Sequence, residues 1–133
     1  INFYLIYVNY LLLGEVIMPK KLLTNCPVER SLELVNKKWK ICILWKLQKG
    51  PLRYSQLKKE MKDITEKMLI QQLKELERDK LIIKIDYKVM PLKVEYKLDT
   101  LGKKFSSSII AISEWGIQNK TTIENILKDS SKI

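Results

Sequence analysis

The strongest constraint in this 133-residue chain lies in residues 65–79, TEKMLIQQLKELERD. Wound as an α-helix at about 100° per residue, the segment gathers Thr65, Leu69, Leu73 and Leu76 on one face. Lys67, Gln71, Lys74 and Arg78 fall on the opposite face as one stripe of hydrogen-bond donors, flanked by Glu66, Glu75, Glu77 and Asp79. This division describes an amphipathic helix whose leucines cover a core. A charged face opposite a leucine row is most often simply solvated. The stripe alone therefore leaves function open, and its neighbours decide more.

Just upstream, residues 55–61 (SQLKKEM) read as a short helix with Ser55 as its cap, and 62–64 as a turn. A short helix, a tight turn and a longer helix make a helix-turn-helix, in which the second helix enters a major groove. Downstream, 81–86 and 94–98 read as two strands joined by 87–93, where Pro91 bars a regular ladder. Lys88 and Lys93 put a basic tip on that hairpin, of the kind that follows a phosphate backbone or enters a minor groove. Earlier, Cys26-Pro27 opens a helical pattern through Val28, Leu32 and Val35. Residues 39–47 (WKICILWKL) read as a buried central helix ended by Gly50-Pro51, with Cys42 inside it. Trp45, Leu57, Met68, Leu69, Leu73 and Leu76 are the expected core. A helix from Thr100 runs through Phe105, Ile109, Ile112 and Trp115, and a last short one covers 122–128. The expected fold is mainly α with a small β-hairpin wing, a winged helix-turn-helix that dimerises through its N- and C-terminal segments. Residues 18–104 would form the DNA-binding domain and 105–133 the dimerisation helices, after an apolar segment at 1–17.

Composition narrows the function. There is no histidine, which excludes a Ser-His-Asp triad, a Cys-His dyad and a His-ligated metal site; two cysteines cannot build a four-cysteine zinc site. No enzyme, no metal and no cofactor are expected. The net charge is +10, and its distribution matters: residues 36–104 hold 19 basic and 9 acidic side chains, and the flanks six of each. A surplus confined to the middle of the chain points to a polyanion, with double-stranded DNA the expected partner. Residues 1–14 (INFYLIYVNYLLLG) are uncharged but shorter than the ~20 apolar residues of a membrane span. They also lack the basic start and small-residue cleavage site of a signal peptide. Residues before Met18 read as a mis-called start, a dimer element or, least of all, a membrane anchor.

On the reading helix, glutamine can pair with adenine and lysine can reach guanine. Lys67 and Gln71 are the candidates for base edges, and Ile70, beside the stripe, for a thymine methyl. Lys74, Arg53, Lys88 and Lys93 are candidates for phosphate, with Thr65 offering its hydroxyl or backbone amide and the Ser55 helix start its backbone amides. Cys26, as N-cap ahead of Pro27, stands at the positive end of a helix dipole that favours thiolate, with Arg30 one turn away. The plainer reading is an incidental cysteine in a reducing cytoplasm.

These residues resemble the HxlR family of winged helix-turn-helix transcription regulators, relatives of the MarR type. The resemblance rests on Cys26-Pro27-Val28-Glu29, Lys38-Trp39-Lys40 with Ile43-Leu44, and Gly50 with Arg53-Tyr54-Ser55-Gln56-Leu57. It continues through Ile64-Thr65-Glu66-Lys67-Met68-Leu69, Gln72-Leu73-Lys74-Glu75-Leu76-Glu77, Pro91-Leu92-Lys93-Val94-Glu95-Tyr96, Leu101-Gly102 and Trp115-Gly116. It implies a cytoplasmic homodimer on a pseudo-palindromic operator, and a redox- or electrophile-sensing role for Cys26. Asp63 stands where the family usually turns on glycine; aspartate accommodates the left-handed conformation at some cost. A small-molecule effector between the flanking helices is a further expected partner. The alternatives are a basic protein that coats nucleic acid without specificity, and a membrane-associated protein anchored by residues 1–13.

Overall fold

The computed structural model describes residues 26–131. The expectations for residues 1–17 lie outside the described residues. Chain contacts divide the protein into two units, Ile1–Leu34 and Val35–Ile133. α1 (Pro27–Val35) starts directly after Cys26 and belongs to the first unit except for its last residue, Val35. Arg30 N–H donates to the Cys26 carbonyl at 3.0 Å, so Arg30 does lie one turn on.

The first whole helix of the second unit is α2 (Lys38–Lys46), continued by a 3₁₀ turn (Leu47–Lys49). Gly50 ends it at φ 138°, a conformation open to glycine and poor for any side chain. The chain then forms β1 (Leu52–Arg53), α3 (Tyr54–Glu60) and α4 (Glu66–Arg78). The hairpin β2 (Ile82–Asp86) and β3 (Val94–Leu98) follows, with Ile82 opposite Leu98 and Asp86 opposite Val94. The sheet is antiparallel in the order β1-β3-β2. α5 (Thr100–Lys104), α6 (Ser106–Gln118) and α7 (Lys120–Ser130) complete the unit. The winged helix-turn-helix expectation holds.

The core explains the arrangement. Ile43 and Leu44 of α2, Leu57 of α3, and Leu69, Leu73 and Leu76 of α4 are all excluded from solvent, together with Ile82 and Ile109. Met61 and Ile64 plug the turn between the two helices, and Ile64 N–H bonds the Met61 carbonyl at 3.2 Å. Gly102 is required by close approach: a Cβ there would run into the carbonyl of Leu81, which accepts Asp99 N–H at 2.9 Å.

Several expectations need correction. Trp45 and Met68 are 44% and 37% exposed, not core. Ile43 and Leu44 take the inner face of α2, while Trp45 stays partly at the surface, with the Lys46 ammonium 5.1 Å from its ring centroid. Met68 sits between the two faces of α4. Cys42 is half-buried rather than sealed. Ser55 is inside the first turn of α3; the capping position is Arg53, whose N–H donates to Gln56 Oε1 at 2.8 Å. Asp63 is not left-handed; among the described non-glycine residues only Lys80 and Lys88 have positive φ. The expected helix from Thr100 is two, because the N–H of Phe105 is shared between the Leu101 and Gly102 carbonyls and closes α5 early. β1 was not anticipated, since two residues carry no periodicity.

Candidate nucleic-acid interface

The second helix of the pair is α4, and its start is well determined. Thr65 is its N-cap, with Oγ1 accepting from Met68 N–H at 3.1 Å, and Glu66 faces the positive end of the dipole. Leu69, Leu73 and Leu76 pin the inner face, so the outer face is presented to solvent in a fixed orientation. Lys67, Ile70, Gln71, Lys74 and Arg78 are all exposed there. The structure thus brings the expected reading stripe together on one surface.

The stripe is less free of acid than helical spacing suggests. Gln71 Nε2 donates to Glu75 Oε1 at 3.3 Å. Glu75 Oε2 in turn lies 2.6 Å from Nζ of Lys40, a buried residue of α2, and 3.9 Å from Nζ of Lys37. Burial pushes the Glu75 carboxyl up, but hydrogen bonds from Lys40 and Gln71 and the two lysine charges outweigh it, leaving it below its ordinary 4.5. Arg78 Nε donates to Asp79 Oδ1 at 3.1 Å at the far end of the stripe.

The remaining candidates surround α4. Arg53, at the end of β1, and Ser55, in the first turn of α3, are exposed. Lys88 is exposed in the hairpin loop, its left-handed backbone (φ 50°) held by Asp86 Oδ1, which accepts Lys88 N–H at 2.8 Å. Lys93 is half-buried and paired: its Nζ lies 4.2 Å from the Tyr87 ring centroid and 3.4 Å from Glu95 Oε1. The loop surface beyond is apolar, with Met90 95% and Leu92 72% exposed.

Spacing concealed three features. Lys40 reads as one charge in an apolar helix, and only the fold shows it buried against Glu75. Gln72 is 1% exposed, and neither of its amide atoms has a hydrogen-bond partner. Its position three residues from Leu69 and four from Leu76 was the available signal. Tyr54 and Tyr96 form a third group: burial, then Glu66, raises the Tyr54 phenol, and burial, then Glu77 and Tyr54, raises that of Tyr96. Cys26 is exposed at the start of α1. Among the described residues no group of three His, Cys, Asp or Glu side chains could hold a metal ion, and no helix is long and apolar enough to cross a membrane.

A capped recognition-type helix on a leucine core, preceded by a short helix and followed by a hairpin, defines a winged helix-turn-helix protein. Residues 34–124 match the HxlR-like helix-turn-helix family, and the chain belongs to it. The HTH-type transcriptional regulator YdeP of Bacillus subtilis (strain 168) is 39% identical over 102 residues, covering 77% of this chain and 80% of YdeP. The redox regulator HypR in its oxidized form superposes with a TM-score of 0.68 at 34% identity, over 71% of this chain and 97% of HypR. A transcriptional regulator of the MarR family from Porphyromonas gingivalis W83 gives 0.69 at 37% identity, over 76% and 99%.

Proposed function

We propose that this HxlR-type transcriptional regulator acts as a homodimer on a pseudo-palindromic operator in the cytoplasm, binding DNA rather than catalysing a reaction. The observation that carries the reading is the exposed Lys67, Gln71, Lys74 and Arg78 stripe on a helix whose opposite face is locked into the core. The N-terminal half of α4 lies in a major groove, with Lys67 and Gln71 at base edges and Ile70 against a thymine methyl. Lys74, Arg53 and Lys88 hold phosphates, with the Ser55 and Thr65 hydroxyls beside them. Lys93 reaches a phosphate by exchanging Glu95 for it. Residues 18–104 serve as the DNA-binding domain.

The C-terminal helices support a two-fold contact. Ile112, Trp115 and Ile117 of α6 and Ile126 and Leu127 of α7 are each more than half exposed. Scattered apolar residues are ordinary on a surface, but a run of this density is what a partner covers. A dimer through residues 105–133 sets two reading helices about one DNA turn, ~34 Å, apart. Cys26 is the candidate switch, exposed at a helix start and supported by the redox regulator among the similar structures.

The test is binding to DNA flanking the protein's own gene, at two salt concentrations, with excess unrelated duplex. A specific regulator prefers its site by ~10³-fold or more. Equal loss of binding to every competitor would overturn the reading in favour of a sequence-indifferent coating protein. Repeating the assay after mild oxidation with Cys26→Ser addresses the switch: an identical response in parent and variant reduces Cys26 to structure.

A further inference from the structure

Within the reading stripe, Gln71 has its amide anchored from below. Nε2 donates to Glu75 Oε1 across one helical turn, while Glu75 Oε2 faces the buried Lys40 ammonium. The two carboxylate oxygens are thus divided between a lysine of α2 and the amide on the reading face. A carboxylate accepts hydrogen bonds and donates none. An amide turned over at its last torsion would set its oxygen against a carboxylate oxygen, so the nitrogen must face Glu75.

Nε2 carries two hydrogens, and Glu75 takes one. With Glu75 on the hydrogen trans to Oε1, the cis hydrogen stands beside Oε1 as an adjacent donor and acceptor. In the major groove adenine shows an acceptor (N7) beside a donor (N6–H), whereas guanine shows two acceptors (N7 and O6). A donor–acceptor edge complements adenine. Against guanine, Oε1 would oppose O6, and presenting both hydrogens instead would break the bond to Glu75. We infer that Lys40 and Glu75 are positioning residues that lock the Gln71 amide, making it an adenine reader that rejects guanine. The inference rests on the proposed role of α4 as the reading helix. The lysines that hold Glu75 in its ionised form keep it an acceptor only, which supports the lock.

The test is selection of bound duplexes from a randomised pool by the full chain, read by sequencing. Four proteins are compared: the parent, Gln71→Ala, Lys40→Met/Glu75→Gln and Glu75→Asp. The double variant replaces the buried ion pair with side chains of similar volume, a change folds commonly tolerate. Glu75→Asp keeps the charge beside the lysines but draws the acceptor back by one methylene, so it serves should the double variant fail to fold. The parent is expected to favour adenine over guanine by about tenfold or more at one position in each half-site. Gln71→Ala abolishes that preference. The double variant and Glu75→Asp reduce it to about threefold or less at that position, with the other positions unchanged. Full adenine preference in both Glu75 variants overturns the inference while leaving the proposed function standing; no position relaxed by Gln71→Ala overturns it together with the base-edge placement of Gln71, while operator-specific binding stands. Equal loss at every position also overturns it, because that marks a structural role. A parent that enriches no sequence overturns both.

Discussion

The amide of Gln72 offers the sharpest test of how this core is built. It lies on the inner side of α4, 1% exposed, with neither Oε1 nor Nε2 hydrogen-bonded. In the unfolded chain both atoms bond to water. Folding removes that water, and an unsatisfied buried polar group costs roughly 1–3 kcal/mol. Methionine is unbranched but has nearly the same length and volume and about the same helix propensity as glutamine. Gln72→Met therefore leaves size and backbone preference nearly alone and removes the amide. The expected result is a gain of about 1–3 kcal/mol, which for a domain of this size raises Tm by roughly 4–12 °C. Urea unfolding should show a higher midpoint at unchanged slope, since the surface exposed on unfolding is the same. A midpoint equal to or below the parent's would refute the reasoning, because it would mean that the amide is satisfied in the folded state.

Three further outcomes follow from the same contacts. Gly102→Ala should destabilise by about 1–3 kcal/mol, since its Cβ meets the Leu81 carbonyl, a backbone atom tied to Asp99 that cannot swing aside; a thermal melt within a degree of the parent's would refute it. Because the folded state holds the Glu75 carboxyl below its ordinary 4.5, the pair it makes stabilises fully above that value. The contribution is then lost as pH falls through the folded pKa, so urea midpoints from about pH 6 to about pH 3 should fall more steeply for the parent than for Lys40→Met/Glu75→Gln. Lys74→Ala should weaken binding to all duplexes alike and reduce the slope of log affinity against log salt by about 0.9; a base-specific loss would instead place Lys74 at a base edge.

Legibility followed the length of each pattern. Residues 65–79 span four helical turns, so a leucine row and an opposing donor stripe could be read without the fold, and Thr65 could be placed at the start. β1 spans two residues, Leu52 and Arg53, and exists because β3 offers them Tyr96 and Glu95 as partners. Nothing local announces it. Trp45 and Met68 misled for a related reason: hydrophobicity predicts burial only where another element is available to cover the residue. α2 meets α4 on the side of Ile43 and Leu44, and that leaves Trp45 at the surface, beside a groove shared with Ile109, Ile112 and Gly116 of α6.

The interface shows the same division between what spacing carries and what only contact carries. A helical wheel places Lys67, Gln71, Lys74 and Arg78 on one face and Glu75 on its flank. It assigns no partner to any of them. In the folded chain they take three different electrostatic situations: Lys67 and Lys74 stay in solvent, Gln71 is tied to Glu75, and Arg78 is paired with Asp79. An unpaired lysine such as Lys74 is suited to phosphate, where a mobile charge tolerates many geometries. The anchored amide is suited to a base edge, where a fixed donor and acceptor discriminate. A net charge of +10 accounts for attraction to DNA and for none of this ordering. Ordering within the stripe comes from the few acids within its reach, and of these Glu75 is the one joined to the buried Lys40.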